Sequence, residues 1–149
     1  DINLVKEAIK LFGSQSIVAS VDIKKNVWGV RKVYRHSNKK ILNLTPIEYV
    51  RQLESLGVGE ILLYSVDRDG TWEGMDIDLI KEVTNKTHLP VISCGGVGKL
   101  KDIKDGILNG SSGVAIGSMC VYSKKDMGVL IKFPKKNDIN KIIENYENL

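Results

Sequence analysis

Ile61-Leu62-Leu63-Tyr64-Ser65-Val66-Asp67-Arg68-Asp69-Gly70-Thr71 decides the fold. Six uncharged residues run together, and the chain then turns polar at once through an Asp-Gly turn dipeptide. A short run that is apolar on both faces and stops at an acid reads as a strand covered on both sides, the form parallel strands take between helices. Three further segments repeat the pattern: Ile17-Val18-Ala19-Ser20-Val21, Val91-Ile92-Ser93 and Gly113-Val114-Ala115-Ile116, each bounded by Gly, Asp or Pro. Amphipathic helical stretches separate them. The clearest begins Thr45-Pro46-Ile47-Glu48, with Thr45 as N-cap, Pro46 at the first helical position and Glu48 closing a capping box. Ile47, Val50, Leu53 and Leu56 follow at helical spacing before Gly57 ends the run. Other helices are expected over residues 4–11, 76–85, 100–108 and 138–146. The alternation predicts an α/β fold built on parallel β/α units.

Strand starts at 17, 61, 91 and 114 leave a first gap longer than the rest, and the surplus lies at roughly residues 26–41. There Val27-Trp28 and Lys32-Val33-Tyr34 are separated from Ile41 by the polar His36-Ser37-Asn38-Lys39, which predicts a small β excursion after the first strand. The 149 residues suffice for one buried core and read as a single unit without linker or low-complexity segment. No apolar run approaches the ~20 residues of a membrane span. The chain opens Asp1-Ile2-Asn3, with no signal peptide and no initiator Met, so a cytoplasmic location is expected and a natural start upstream is left open. Cys94 and Cys120 are too few for a disulfide scaffold and lack metal-ligand spacing; neither a metal nor a cofactor is expected. The net charge of +4 comes from scattered lysines without a basic, aromatic-interleaved stripe, which argues against nucleic-acid binding.

Each strand runs into a loop stocked with reactive residues, and carboxyl ends of parallel strands are where such folds place their sites. Asp22 follows the first strand, where an acid is costly to bury without a role or a partner. It is a candidate general acid or base, with a loop cap or a pair with Lys24 as the plainer alternatives. Cys94-Gly95-Gly96-Val97-Gly98 and Gly117-Ser118 suggest phosphate, since small residues let backbone N–H groups approach an anion at a helix start. Tight β/α turns that simply need glycine are the competing explanation. Asp69 and Gly70 are placed to orient a substrate, or form only a polar turn in which Arg68 pairs with its flanking acids. Cys94 as a nucleophile is disfavoured because no His sits in a strand-end loop to activate it. His36 and His88 read as surface or capping residues. Trp28 and Trp72 read as loop packing, though either could close over a ligand, and Lys135-Lys136 as a solvated pair.

Ser20-Val21-Asp22, Gly57-Val58-Gly59-Glu60-Ile61-Leu62-Leu63, Ser65-Val66-Asp67-Arg68-Asp69-Gly70-Thr71, Gly74-Met75-Asp76, Leu89-Pro90-Val91-Ile92, Gly95-Gly96-Val97-Gly98 and Gly117-Ser118 together resemble the cyclase subunit of imidazole-glycerol-phosphate synthase, in order and over nearly the whole chain. Phe12-Gly13-Ser14-Gln15 fits as well. The resemblance implies a (β/α)₈ TIM barrel that takes ammonia from a glutaminase partner of the class I amidotransferase type. With it the family cleaves and cyclises a bisphosphorylated ribulosyl aminoimidazole carboxamide. It implies a catalytic acid/base role for Asp22, and a grip on one substrate phosphate for Asp69, Gly70, the Gly95–Gly96 pair, Gly117 and Ser118.

Three departures bear on the acceptor. Cys94 stands for the usual serine before the glycine pair, and Tyr64 for a small hydroxyl residue. The stretch Gly128-Val129-Leu130-Ile131-Lys132-Phe133-Pro134, with Lys25-Asn26-Val27-Trp28-Gly29, is similar to a sister group encoded with surface-polysaccharide genes, thought to deliver ammonia for sugar amidination. The first strand here corresponds to strand five of the family barrel, so the chain is expected to form the C-terminal half, about four β/α units. Strands one to four, with the other catalytic aspartate and the second phosphate site, are not in this sequence. Alone it is expected to be inactive, and to pair with an N-terminal half or with itself. A non-catalytic half barrel that only grips a phosphorylated sugar is the rival from another class.

Overall fold

The computed structural model describes residues 2–123 and 128–147. The chain runs from α1 (Ile2–Phe12) into β1 (Val18–Lys25), then β2 (Arg31–Arg35), β3 (Lys40–Ile41) and α2 (Pro46–Leu56). β4 (Glu60–Ser65), α3 (Ile77–Thr84), β5 (Val91–Cys94), α4 (Leu100–Leu108) and β6 (Gly113–Ala115) follow, then the short α5 (Ser118–Val121) and α6 (Lys136–Glu147). One sheet orders the strands β3-β2-β1-β4-β5-β6, with β1, β4, β5 and β6 mutually parallel. Each parallel strand lies beside the next parallel strand in the chain, with no reversal of order. A doubly wound sheet reverses at its switch point; a barrel wall does not. The fold is α/β, and the four units form part of a (β/α)₈ barrel wall.

Local chemistry sets the elements. Thr45 Oγ1 accepts the Glu48 N–H while the Glu48 carboxylate accepts the Thr45 N–H at 2.7 Å, the reciprocal box that starts α2. The Thr45 hydroxyl also donates to that carboxylate at 2.8 Å, and the two bonds from Thr45, first its backbone and then its hydroxyl, hold the Glu48 carboxyl below its ordinary range. Asp76 opens α3 by accepting the Leu79 N–H. Val21, Ile23, Ile61, Leu63 and Val91 point to the helix side and are buried with Val50 and Leu53 of α2 and Leu79, Ile80 and Val83 of α3. The alternate residues Asp22, Leu62, Tyr64, Ile92 and Cys94 are only half-buried. The strands are therefore sealed on one face, whereas the sequence reads as apolar on both. The second face is the concave interior of the barrel wall.

β1 extends past Val21 to Lys25 because β2 pairs antiparallel with its end, Ile23 opposite Val33 and Lys25 opposite Arg31. Asp22 thus lies within the strand and not in a loop after it. Residues 18–22 have a ladder partner on the β4 side alone among the described residues. Two interactions fix the excursion. The Lys25 N–H donates to Asp67 Oδ2 at 2.7 Å, tying the end of β1 to the loop after β4. Arg31 forks onto Asp76, Nε to Oδ2 at 3.0 Å and Nη2 to Oδ1 at 2.6 Å, with side chains 23% and 10% exposed. No helix among the described residues is long and apolar enough to cross a membrane.

Burial pushes the Asp76 carboxyl upward, but the hydrogen bonds from Arg31 and the Leu79 N–H outweigh it and hold the group below its ordinary range. A carboxyl whose folded pKa is depressed stabilises the fold above its unfolded pKa, about 3.9, and loses that contribution as pH falls through the folded value. Asp76→Asn is expected to cost about 2 kcal/mol at neutral pH in urea unfolding, with the gap to the parent closing below about pH 4. An unchanged urea midpoint at neutral pH would refute this stabilising role of the Arg31–Asp76 pair.

Candidate functional site

The parallel register builds the site. Asp22 pairs with Tyr64, Tyr64 with Cys94, and Cys94 with Ala115, so these four residues form one row across the concave face near the carboxyl ends of the strands. Burial first, then hydrogen bonding and charge from Asp69, push the Tyr64 phenol well above its ordinary range, and Cys94 and Asp22 act the same way. Burial also raises the Cys94 thiol, with Asp69 and Asp22 adding to it against the Gly95 N–H. Tyr64 is accordingly a neutral O–H donor and Cys94 a protonated thiol, the opposite of an activated nucleophile. Asp22 and Asp69, assigned from separate loops, act electrostatically on the same two side chains.

Asp22 is half-buried and polar-lined. Ser20 Oγ donates to Asp22 Oδ1 at 2.8 Å, and His36 Nε2 stands 3.6 Å from Oδ2. The pair with Lys24 weighed from the sequence does not form; Lys24 Nζ lies over the Tyr34 ring, 5.2 Å from its centroid. A cavity of about 520 Å³ opens beside Asp22, lined by Ser20 and His36 and, from the excursion and α2, by Val33, Leu44, Tyr49 and Gln52 among others; Tyr64, Cys94 and Asp69 are not in its lining. His36, expected as a surface or capping residue, is exposed, and the structure also brings it to the acid. One step beyond the Ile23–Val33 pair puts Tyr34 level with Asp22, and His36, which opens the turn after β2, meets the Tyr34 ring edge-on.

The loop after β4 is a run of tight turns. The Arg68 and Asp69 N–H groups both donate to the Ser65 carbonyl, and the Thr71 N–H donates to the Arg68 carbonyl. Asp67 is committed to Lys25, and Arg68 reaches Glu73 at 4.0 Å, not its flanking acids. Gly95 and Gly96 take φ of +103° and +94°, and a side chain on Gly96 would run into the Gly74 carbonyl and one on Gly95 into Ser65 O at 2.6 Å. These glycines are demanded by backbone packing whatever they bind. At the start of α4 the buried Asp102 already accepts from Gly98 and Lys99 N–H, at 2.9 and 3.0 Å, so those two amides are occupied. Gly117 is different: its φ is −119°, and no atom lies within 4 Å of where a Cβ would stand. With Ser118 it follows Ala115 on the neighbouring strand, beyond the Gly95–Gly96 loop. A second cavity of about 520 Å³ is lined by Trp72, Gly98, Met119, Tyr122, Lys132 and Phe133 among others; Asp69, Gly70, Gly95, Gly96, Gly117 and Ser118 are not in its lining. Trp72 thus packs in a wall, whereas Trp28 stands out into solvent. His88 is remote, its N–H bound to Glu54. No group of three His, Cys, Asp or Glu among the described residues is placed to hold a metal ion.

A barrel wall with an acid on its concave face and glycine turns at the strand ends defines a class of β/α-barrel proteins, and comparison with known sequences specifies it. The chain belongs to the family described as histidine biosynthesis protein, whose model matches residues 1–126. It is 39% identical over 143 residues to a Pseudomonas aeruginosa protein provisionally named imidazole glycerol phosphate synthase subunit hisF2, covering 95% of this chain and 56% of that one. A Vibrio vulnificus protein with the same provisional name is 42% identical over 110 residues, 74% of this chain and 40% of its own. The imidazole glycerol phosphate synthase subunit HisF of Chlorobium phaeobacteroides is 37% identical over 125 residues, 84% and 49%. The chain spans about half the length of these relatives.

The glycines separate by experiment. Gly96→Ala is expected to lower the melting temperature by several degrees, corresponding to about 2 kcal/mol or more, because it combines a forbidden φ with a backbone clash. Gly117→Ala should cost clearly less, since no atom crowds its Cβ and only its ψ of −91° opposes a side chain. Equal losses in the two variants would contradict this division.

Proposed function

We propose that this chain supplies the C-terminal half of an ammonia-using, cyclase-type barrel of the imidazole-glycerol-phosphate synthase kind, acting on a phosphorylated substrate with ammonia delivered by a glutaminase partner. The observation that carries the reading is the Asp22–Tyr64–Cys94 row with Asp69 acting upon it, beneath the glycine turns of consecutive units. In this reading Asp22 is the general acid/base, taking a proton as the new C–N bond forms and returning one to the departing nitrogen. Asp69, Gly70, Gly95, Gly96, Gly117 and Ser118 hold one phosphate, through the turn backbone and the Ser118 hydroxyl. Acid–base work at two positions of one substrate calls for a second carboxylate on the strands that would precede β1. The open edge of β1 and the half-exposed concave row favour completion by such a half barrel or by a second copy. A second reading, ammonia delivery for sugar amidination in surface-polysaccharide synthesis, is favoured by Tyr64 and Cys94, which put a bulky phenol and a thiol on the concave row.

In a barrel completed with strands one to four, Asp22→Asn is expected to lower ammonia-dependent turnover by about 10²–10⁴-fold while phosphate binding persists. Unchanged turnover would support the purely phosphate-gripping rival. The 149-residue protein alone should turn over no bisphosphate substrate, and in light scattering it should run as a dimer or larger. Activity of the isolated chain, or a well-behaved monomer, would count against the half-barrel reading. Product analysis with the ribulosyl bisphosphate against a nucleotide-linked sugar acceptor separates the two pathways.

A further inference from the structure

His36 belongs to none of the roles above, yet it stands against the acid that carries the proposed chemistry. The two oxygens of Asp22 have different neighbours: Oδ1 accepts from Ser20 Oγ at 2.8 Å, and Oδ2 faces His36 Nε2 at 3.6 Å. Exposure rises along the line, 20% for the Asp22 side chain and 61% for His36. The imidazole is not adrift. Its ring meets Tyr34 edge-on, centroids 4.9 Å apart and planes at 79°, and Lys24 covers Tyr34. Its backbone opens a single helical turn that closes when the Lys39 N–H donates to the His36 carbonyl, with Lys39 left-handed at φ 53°. Tyr34–Ile41 and Arg35–Lys40 pairs clamp that turn on both sides. The hairpin therefore delivers one imidazole to one carboxylate at the mouth of the cavity.

We propose that His36 is the positioning partner of Asp22 and its proton route to water, an inference that rests on the acid/base reading of Asp22. Ser20 fixes one carboxylate oxygen and leaves the other to exchange. When Asp22 has taken a proton, it passes from Oδ2 to His36 Nε2, and the imidazolium releases a proton to solvent from its Nδ1; the reverse sequence recharges the acid. No other reactant is needed. A small side-chain rotation closes the 3.6 Å separation to hydrogen-bond distance. The charged groups around the imidazole are Asp22 and Lys24 of β1 and Arg35 of its own ribbon, with the phenols of Tyr34 and, from α2, Tyr49. Asp22 is the acid among them.

Two measurements test this. The first needs no substrate. The chain has two histidines, His36 and His88, so long-range ¹H–¹⁵N spectra of the purified protein hold two sets of ring-nitrogen signals. Asp22→Asn is expected to shift those of His36 and leave those of His88 in place; unchanged His36 signals overturn the pairing. The second uses ammonia-driven turnover in the completed barrel. His36→Gln should lower kcat by about tenfold or more with KM little changed, flatten the pH profile of kcat, and be partly rescued by added imidazole. His88→Gln should match the parent. A parent-like pH profile in His36→Gln, or a loss that imidazole does not restore, overturns the proton route. If the parent barrel itself shows no turnover, the acid/base reading falls, and with it the proton route; the spectra then still decide the pairing.

Discussion

Side chains on a strand alternate between two faces, and in an unbroken parallel register that alternation is shared by every strand in the sheet. The rest of this structure depends on that constraint. Val21, Ile61, Leu63 and Val91 can face α2 and α3 only if Asp22, Tyr64 and Cys94 face the other way. A slip of one residue between β1 and β4 would carry Asp22 into the helix-side core and Val21 or Ile23 onto the concave face. The apolar packing therefore holds the polar row in place, although no residue of the row belongs to the core.

The acids at this end of the sheet divide into two kinds. Asp67, Asp76 and Asp102 are engaged by backbone amides or by Arg31: they tie the excursion to the loop after β4, start α3 and cap α4. Asp22 and Asp69 face Tyr64 and Cys94 instead. The same residue type thus builds the rim with three members and charges the interior with two. The distinction rests on what lies within hydrogen-bond range, not on position along a strand end.

The units themselves were legible in the sequence because their signals are local. The Thr45–Glu48 box, the run Ile61 to Ser65 and the helix over 100–108 each follow from a few adjacent residues. What escaped depends on how the chain folds back on itself. Lys24 and Lys25 read as a polar loop, yet the ladder with β2 keeps them in strand. The Arg31–Asp76 fork joins residues 45 positions apart. His36 reads as a surface or capping residue and stays exposed; its meeting with Asp22 shows only once the hairpin is folded back. The Gly95–Gly96 pair shows a different limit: a turn that needs left-handed backbone and a turn that holds an anion demand the same letters.

Strand order that follows chain order has a consequence for how the molecule is made. β5 can dock on β4 and β6 on β5 as each emerges, every new strand finding its template already laid down, so these contacts close short loops. The exception is β1 to β4, between which β2, β3 and α2 intervene. There the antiparallel hairpin reaches β1 first and stiffens its far end, shortening the search that β4 must make. The insertion that brings His36 to Asp22 is in this sense also a local template, built from chain neighbours, whereas β4 must come to β1 from farther away.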